Sequence, residues 1–154
     1  MPKPKYADLN DIEKIEKQWH KMSGLHSRED WSAAIVRAAT AAEIAANYAV
    51  RQEFAARSKF DRRFVDKLLR WANGIDGKLT RLLVPLHAGG EHENAISKLK
   101  ALTEEMNTKR NEIVHSGNFM NRQEAKEVIA HAKIFVETLV RLHQPKFKLV
   151  DPDS

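Results

Sequence analysis

The chain contains no cysteine among its 154 residues. Disulfide bonds, thiol nucleophiles and cysteine-ligated metals are therefore excluded, and a cysteine-free chain suits the reducing cytoplasm, where we expect the protein to act. No apolar run approaches the ~20 residues that span a bilayer. The first ten residues also lack the apolar core of a secretion signal. We therefore expect no membrane partner.

Glycine and proline are scarce, with 6 and 5 residues, and no segment alternates apolar and polar residues as a strand would. Apolar side chains instead recur every three or four residues along most of the chain. Hydrophobic residues make up 42% of the sequence and charged residues 31%, the composition of a folded domain. This pattern predicts an all-α, up-and-down bundle of five to six helices. We expect one domain over residues 1–145 and a flexible tail over residues 146–154.

Local residue patterns predict where the helices begin and end. Gly24 should end the first helix, and "SRED" at 27–30 has the form of a capping box for the second. That second helix is rich in alanine and apolar around most of its circumference, so it should lie at the centre of the bundle. Pro85 should limit a short fourth helix, and "NRQE" at 121–124 should cap the last one.

The segment "KRNEIVHSG", residues 109–117, places three polar side chains shortly before a predicted helix end. Asn111 and His115 are four residues apart and share a helix face. Arg110 lies at the edge of the apolar stripe, where a half-buried guanidinium needs an anion or a site to serve. His115 lies in the last turn, where the helix dipole favours its protonated form, and it can exchange a proton near neutral pH.

These residue types match the chemistry of RNA cleavage. The 2′-hydroxyl of RNA is a built-in nucleophile, so cleavage needs a base, an acid and a cation, with no metal or cofactor. Histidine can act as base or acid, and arginine can bind two phosphate oxygens. Asn111 can position the phosphate or fix the imidazole. One histidine cannot easily be both acid and base. A homodimer with the motif at its two-fold interface would supply both.

The motif "RNEIVH" resembles the R-N-x-x-x-H motif of HEPN domains. The following "SGNFMNRQEAKEVIAHAKIFVETL" is similar to the last helix of that family, and "AAIVRAATAAEIAANYAV" resembles its central helix. The resemblance covers most of residues 28–143. It implies a dimeric all-α fold and a metal-independent endoribonuclease with Arg110 and His115 as the key pair and Asn111 beside them. Many family members carry an aromatic residue two positions after the histidine, where this chain has Gly117.

The resemblance also implies biological roles and an alternative function. Family members act in toxin–antitoxin pairs, in defence against viruses and in RNA processing, so an antitoxin or another protein is an expected partner besides RNA. Other members have lost catalysis and bind RNA, a nucleotide or a partner protein. A purely structural alternative also remains, in which Arg110 pairs with an acid, Asn111 faces solvent and His115 caps the last carbonyls of its helix.

Two further residues, Glu43 and Asn47, are expected to support the motif. They belong to a polar stripe on the alanine-rich helix, formed with Arg37, Thr40 and Arg51. A buried Glu43 paired with Arg110 or His115 would orient the site. The alternative is that this stripe is a solvated face.

Other histidines and basic residues favour simpler interpretations. The "HAGGEHE" segment at 87–93 lacks the spacing of a zinc site and reads as a loop. Four other histidines have no acid at useful spacing: His20, His26, His131 and His143. Basic residues cluster at 57–64 and 98–110. Phe60 and Phe64 in the first cluster either stack on bases or anchor a helix in the core.

Overall fold

A computed structural model describes residues 3–57 and 60–152. All regular secondary structure in these ranges is helical. After a single 3-10 turn at Tyr6–Asp8 the helices are α1 (Asp11–Ser27), α2 (Trp31–Arg57), α3 (Arg62–Trp71), α4 (Gly74–Lys78), α5 (Val84–His87), α6 (Glu93–Ser97), α7 (Leu99–Ser116) and α8 (Arg122–Arg141). A π-helical stretch, Leu79–Leu83, joins α4 to α5 without a break, and only Lys98 separates α6 from α7. The described ranges therefore form six continuous helical segments, and the prediction of an all-α bundle is confirmed. None of the described helices is long and apolar enough to cross a membrane.

The alanine-rich helix α2 is the centre of the bundle, as its composition predicted. Its buried side chains are mostly alanine, so neighbouring helices can approach its backbone closely. Helices α1 and α8 pack along it on either side and contribute the large core residues Ile15, Met22 and Phe135. Burial of these side chains is the main stabilising contribution to the fold.

The polar stripe of α2 connects helices and is half-buried, so it is not a solvated face. Arg51 forms ion pairs with Asp11 of α1 at 2.8 Å and with Asp66 of α3 at 3.2 Å. Arg37 donates a hydrogen bond to Gln18 of α1 at 3.1 Å. These contacts also show that α1 and α2 run antiparallel, because the end of α2 meets the start of α1.

The helix ends were predicted with mixed success. The last capping box is confirmed, since the Asn121 side chain accepts from the Glu124 backbone at 2.9 Å and the Glu124 side chain accepts in return. The prediction for Gly24 is wrong, because α1 continues to Ser27. Ser27 is thus the last residue of α1 and does not cap α2. Sequence analysis missed the equivalent capping box of α1, formed by Asn10 and Glu13.

Pro85 does not end its helix, which continues to His87. Proline lacks a backbone N–H and its ring collides with the carbonyl four residues earlier in a regular α-helix. Here the wider π-helical stretch Leu79–Leu83 precedes it, and the Val84 N–H bonds to the Leu79 carbonyl. Pro85 then occupies the first turn of α5, where no donor is needed.

The segment after α8 lies across α1 and α8. Leu149 is buried, and its backbone N–H donates to Glu137 at 2.9 Å. The Trp19 indole donates to the Val150 carbonyl at 2.7 Å, and Lys133 pairs with Asp151 at 2.7 Å. Sequence analysis did not anticipate these contacts. Residues 153–154, the end of the expected tail, lie outside the described residues.

Candidate functional site

The site predicted from the sequence lies at the carboxyl end of α7. Two contacts join this helix to α8: Lys109 forms an ion pair with Glu124 at 2.9 Å, and His131 Nδ1 faces Glu105 Oε2 at 2.8 Å without the alignment of a hydrogen bond. The hydrogen bond between Lys109 and Glu124 raises the pKa of Lys109 and lowers the pKa of Glu124. Both pairs join residues from different helices, which is why sequence spacing gave His131 no acidic partner. The middle of α7 is thus held against α8, while most residues of its last turn are exposed.

The turn after α7 is also fixed. Gly117 adopts a left-handed backbone, with φ of 66°, which suits glycine because it lacks a Cβ atom. This turn directs backbone N–H groups of Gly117 and Asn118 to the Glu112 carbonyl. The Met120 backbone N–H then donates to the Ser32 hydroxyl at 2.9 Å. The end of α7 therefore lies beside the start of α2.

Arg110 is half-buried and carries no carboxylate partner among the described residues. Its only side-chain hydrogen bond in that part of the chain is from Nη1 to Oδ1 of Asn111, at 3.4 Å. The structural alternative, in which Arg110 pairs with an acid of a neighbouring helix, is wrong for residues 3–57 and 60–152. The guanidinium retains its charge and most of its donors for an external anion.

His115 is exposed and lies one turn after Asn111 on the same face. Arg110 and His115 are five residues apart, so they project about 140° from each other and about 7.5 Å apart along the helix axis. The hydrogen bond to Asn111 turns the guanidinium towards the face that carries His115. The structure thus brings Arg110 and Asn111 together and leaves His115 a turn further on.

An apolar surface adjoins the motif. Val114 is 48% exposed and Phe119 is 95% exposed, and both lie within four residues of His115. A phenyl ring this exposed is costly in water and is typical of a surface that another molecule covers.

Glu43 does not support the motif as predicted. Its Oε1 binds Nζ of Lys78, a nearly buried lysine, at 2.8 Å. No ion pair joins it to Arg110 or His115 within the described ranges. The prediction was wrong because Lys78, distant in sequence, approaches the same part of α2. Asn47 has a buried Oδ1 without a hydrogen bond in the described structure, and it does not bond to the motif.

Sequence reasoning missed a second cluster of titratable residues, which we call the Glu53 cluster: Glu53, Arg57, His87 and His143. Arg57 Nε donates to Glu53 Oε2 at 2.8 Å. Nε2 of His87 and Nε2 of His143 face Glu53 Oε1 at 3.5 and 3.3 Å, without the alignment of a hydrogen bond. The residues come from α2, from α5 and from the turn after α8, so no local pattern indicated them.

Burial shifts the pKa of both imidazoles in this cluster. Desolvation lowers the pKa of His87 and of His143, and the negative charge of Glu53 opposes that shift in both. No acid lies at useful sequence spacing from His143, and the acid that approaches it, Glu53, comes from α2. The neighbouring "HAGGEHE" segment forms turns, in which His92 pairs with Glu91 at 3.0 Å. The part of the chain described here contains no group of three or more His, Asp or Glu residues arranged to hold a metal ion.

Comparison with known proteins gave no match: no family model, no curated protein and no solved structure is similar to this chain. The resemblance to HEPN domains therefore rests on the residues quoted above.

Proposed function

We propose that the protein is a metal-independent endoribonuclease of HEPN type, acting in the cytoplasm as a homodimer. One observation carries the proposal. Arg110 presents a half-buried guanidinium with no internal counter-ion in the described chain, beside Asn111 and one turn before the exposed His115. A cation and an imidazole open to solvent on one helix end are suited to bind a phosphate and move a proton.

The chemistry follows from these groups. The 2′-oxygen of one nucleotide attacks the adjacent phosphorus, and the bond from phosphorus to the next 5′-oxygen breaks. A base removes the proton from the 2′-hydroxyl, and an acid protonates the departing 5′-oxygen. The products are a 2′,3′-cyclic phosphate and a 5′-hydroxyl. His115 performs one proton transfer, and Arg110 neutralises the charge that develops on the phosphorane oxygens. Asn111 accepts from the guanidinium and fixes its direction.

A second copy of the chain would complete the site. Within one chain a single His115 supplies a base or an acid, and it projects away from Arg110. A two-fold dimer through the ends of α7 would bring two copies of each residue together and cover Val114 and Phe119. The Phe119→Asp variant should therefore be monomeric by sedimentation and inactive. A parent protein that is monomeric and fully active would contradict this arrangement.

The decisive test is RNA cleavage in the presence of EDTA. The parent should leave cyclic phosphate ends, detected by mass spectrometry, and Arg110→Ala and His115→Ala should not. Matched controls on α1, Lys17→Ala and His20→Ala, remove an exposed cation and an exposed imidazole and should cleave as the parent does. Equal cleavage by the parent and by His115→Ala would eliminate the proposed site.

The second candidate is a non-catalytic module that binds RNA, a nucleotide or a protein through the same helix end. It is favoured by one observation: the described structure gives His115 no partner that orients its ring, because Glu43 is occupied by Lys78. If no RNA is cut but RNA binding depends on Arg110, this candidate replaces the first.

The biological role would follow from cleavage of cellular RNA. Such an enzyme would be a toxin or a defence factor, neutralised by an antitoxin or another protein partner. Growth arrest on expression of the parent, and normal growth with His115→Ala, is the expected result.

A further inference from the structure

Helix α3 carries an exposed aromatic row at the opposite end of the bundle from the motif. Phe60, Phe64 and Trp71 are 59%, 43% and 60% exposed. Phe64 and Trp71 lie seven residues apart in the helix, which places them about 20° apart around its axis, and Phe60 lies two residues before the helix begins. Neither phenylalanine belongs to the buried core, so the interpretation of both as core anchors is wrong, although the Phe60 ring contacts Phe54 and Phe64.

A basic row runs beside the aromatic row. Arg63, Lys67 and Arg70 also recur at intervals of four and three, and all three are exposed. Their side chains form no ion pair or hydrogen bond with any other described residue. Arg81 from the π-helical stretch lies over the Trp71 ring, 5.2 Å from its centroid, and adds a fourth positive charge. Both acids near the helix are occupied elsewhere: Asp61 caps it, and Asp66 pairs with Arg51.

Val65 and Leu69 of α3 are buried against the bundle, and Leu68 is half-buried against the core. A helix that inserts into lipid presents a broad aliphatic face, whereas the exposed side chains on the outer face of α3 are aromatic rings and cations. Proteins that bind single-stranded nucleic acid commonly use aromatic rings that stack on bases and adjacent cations that bind phosphates.

We propose that the outer face of α3 binds single-stranded RNA, with Phe64 and Trp71 stacking on bases and Arg63, Lys67 and Arg70 binding the phosphates. The choice of RNA rests on the function proposed above; the binding itself rests on α3. The Arg51–Asp66 pair fixes α3 near the end of α2, and the Met120–Ser32 bond fixes the motif near its start. Nineteen residues of α2 separate these points, which is about 28 Å. The face of α3 is thus an anchor separate from the site of cleavage.

The test measures binding of a labelled single strand in which every 2′-hydroxyl is methylated. This strand has no nucleophile, so binding is read without cleavage, and failure of binding is distinct from failure of the proposed nuclease. Anisotropy should show that Phe64→Ala and Trp71→Ala each weaken binding about fivefold or more. The Arg63→Glu change should also weaken binding and reduce the slope of log affinity against log salt by about 0.7.

Matched controls lie on other helices. Lys17→Glu makes the same change from a cation to an acid on α1, and Ile134→Ala removes an exposed apolar side chain from α8. Both should bind within about twofold of the parent. Stacking has its own signature: the strand should quench tryptophan emission, and Trp71→Phe should abolish most of the quenching while it retains most of the binding.

Two results would overturn the proposal. One is a parent that fails to bind the strand, including the case in which it binds vesicles of anionic phospholipid through the same residues. The other is binding by the α3 variants that equals that of the parent.

Discussion

The end of α7 and the Glu53 cluster both bring arginine and histidine together, yet they treat these charges in opposite ways. At the end of α7, Arg110 has no carboxylate partner in the described chain and His115 is exposed. In the Glu53 cluster, one buried carboxylate faces Arg57 and two imidazoles. A site for an external anion must keep its cation unpaired, whereas a buried carboxylate must be paired within the fold. By this criterion the end of α7 is suited to an external anion, and the Glu53 cluster contributes to the fold.

The largest expected effect is the loss of the proposed RNA cleavage when His115, at the end of α7, is replaced. Loss of a proton-transferring residue costs about 10²- to 10⁴-fold in rate, so His115→Ala should reduce RNA cleavage by at least about 100-fold. Because the side chain is exposed, the free energy of unfolding should change by no more than about 0.5 kcal/mol. Cleavage assays and urea denaturation of one preparation test both statements. A large loss of stability would make His115 a structural residue like those of the Glu53 cluster.

At Glu53 we expect the opposite result, a loss of stability with RNA cleavage retained. The Glu53→Ala variant leaves the buried His87, the half-buried His143 and the exposed Arg57 without a carboxylate, and it should lower the free energy of unfolding by about 2 kcal/mol. Cleavage, measured below the unfolding temperature, should remain. The Glu104→Ala variant removes an exposed carboxylate from α7 and should have little effect on stability. If Glu53→Ala were as stable as that control, the cluster would not be holding α2, α5 and the end of α8 together.

The imidazoles of His87 and His143 should make the free energy of unfolding depend on pH. Burial lowers the pKa of His87 and of His143 despite the nearby Glu53, so the folded protein binds fewer protons than the unfolded chain. Their stabilising contribution is present above the unfolded pKa of about 6.5 and is lost as the pH falls below it. Each imidazole can contribute at most about 1.4 kcal/mol per pH unit. Urea denaturation at pH 7.5 and pH 5 measures the loss.

Two variants test whether the loss of stability at low pH arises in the Glu53 cluster. His87→Gln should reduce the fall in stability between the two pH values. His20→Gln, which changes an exposed imidazole on α1, should leave it unchanged. An equal fall in the parent and in His87→Gln would place the proton uptake elsewhere.

The smallest effect concerns the backbone at the end of α7. Gly117 has φ of 66° and open space around it, so Gly117→Ala introduces strain without a collision and should cost about 1 kcal/mol. Gly117→Asn should cost less, because asparagine tolerates this conformation. Gly24 lies inside α1, where alanine should stabilise by about 0.5–1 kcal/mol. Thermal denaturation should therefore show opposite signs at the two glycines; equal signs would mean that the turn does not require its left-handed residue.

The sequence predicted features that depend on neighbouring residues. The alanine-rich pattern identified the central helix, and "NRQE" identified a capping box, because each physical cause lies within one or two turns of helix. The resemblance of "RNEIVH" to a family motif is also a local pattern, and it stays a prediction. Gly24 was misjudged because glycine is permitted inside a helix that tertiary contacts stabilise. Pro85 was misjudged because a π-helical stretch removes the collision that normally ends a helix at proline.

Features that join distant residues could not be predicted. Lys78 captures Glu43 from 35 positions away, and Glu53 meets His143 across the bundle. Such pairs depend on how the helices pack against one another, and a single sequence does not show that packing. The exposure of α3 escaped prediction in the same way, since its aromatic residues have the spacing of a core stripe and only the fold shows which face points outwards.

The hydrogen bond from the Trp19 indole to the Val150 carbonyl links the first helix to a residue 131 positions later. Because Trp19 is buried and bonded to the segment after α8, its contribution to the fluorescence reports whether that segment is in place. A peptide fused after residue 154 must leave this contact intact, or water reaches the indole ring. Helix α1 and the segment after α8 are therefore coupled, and a shift of the Trp19 emission would show that a fused tag has displaced the segment.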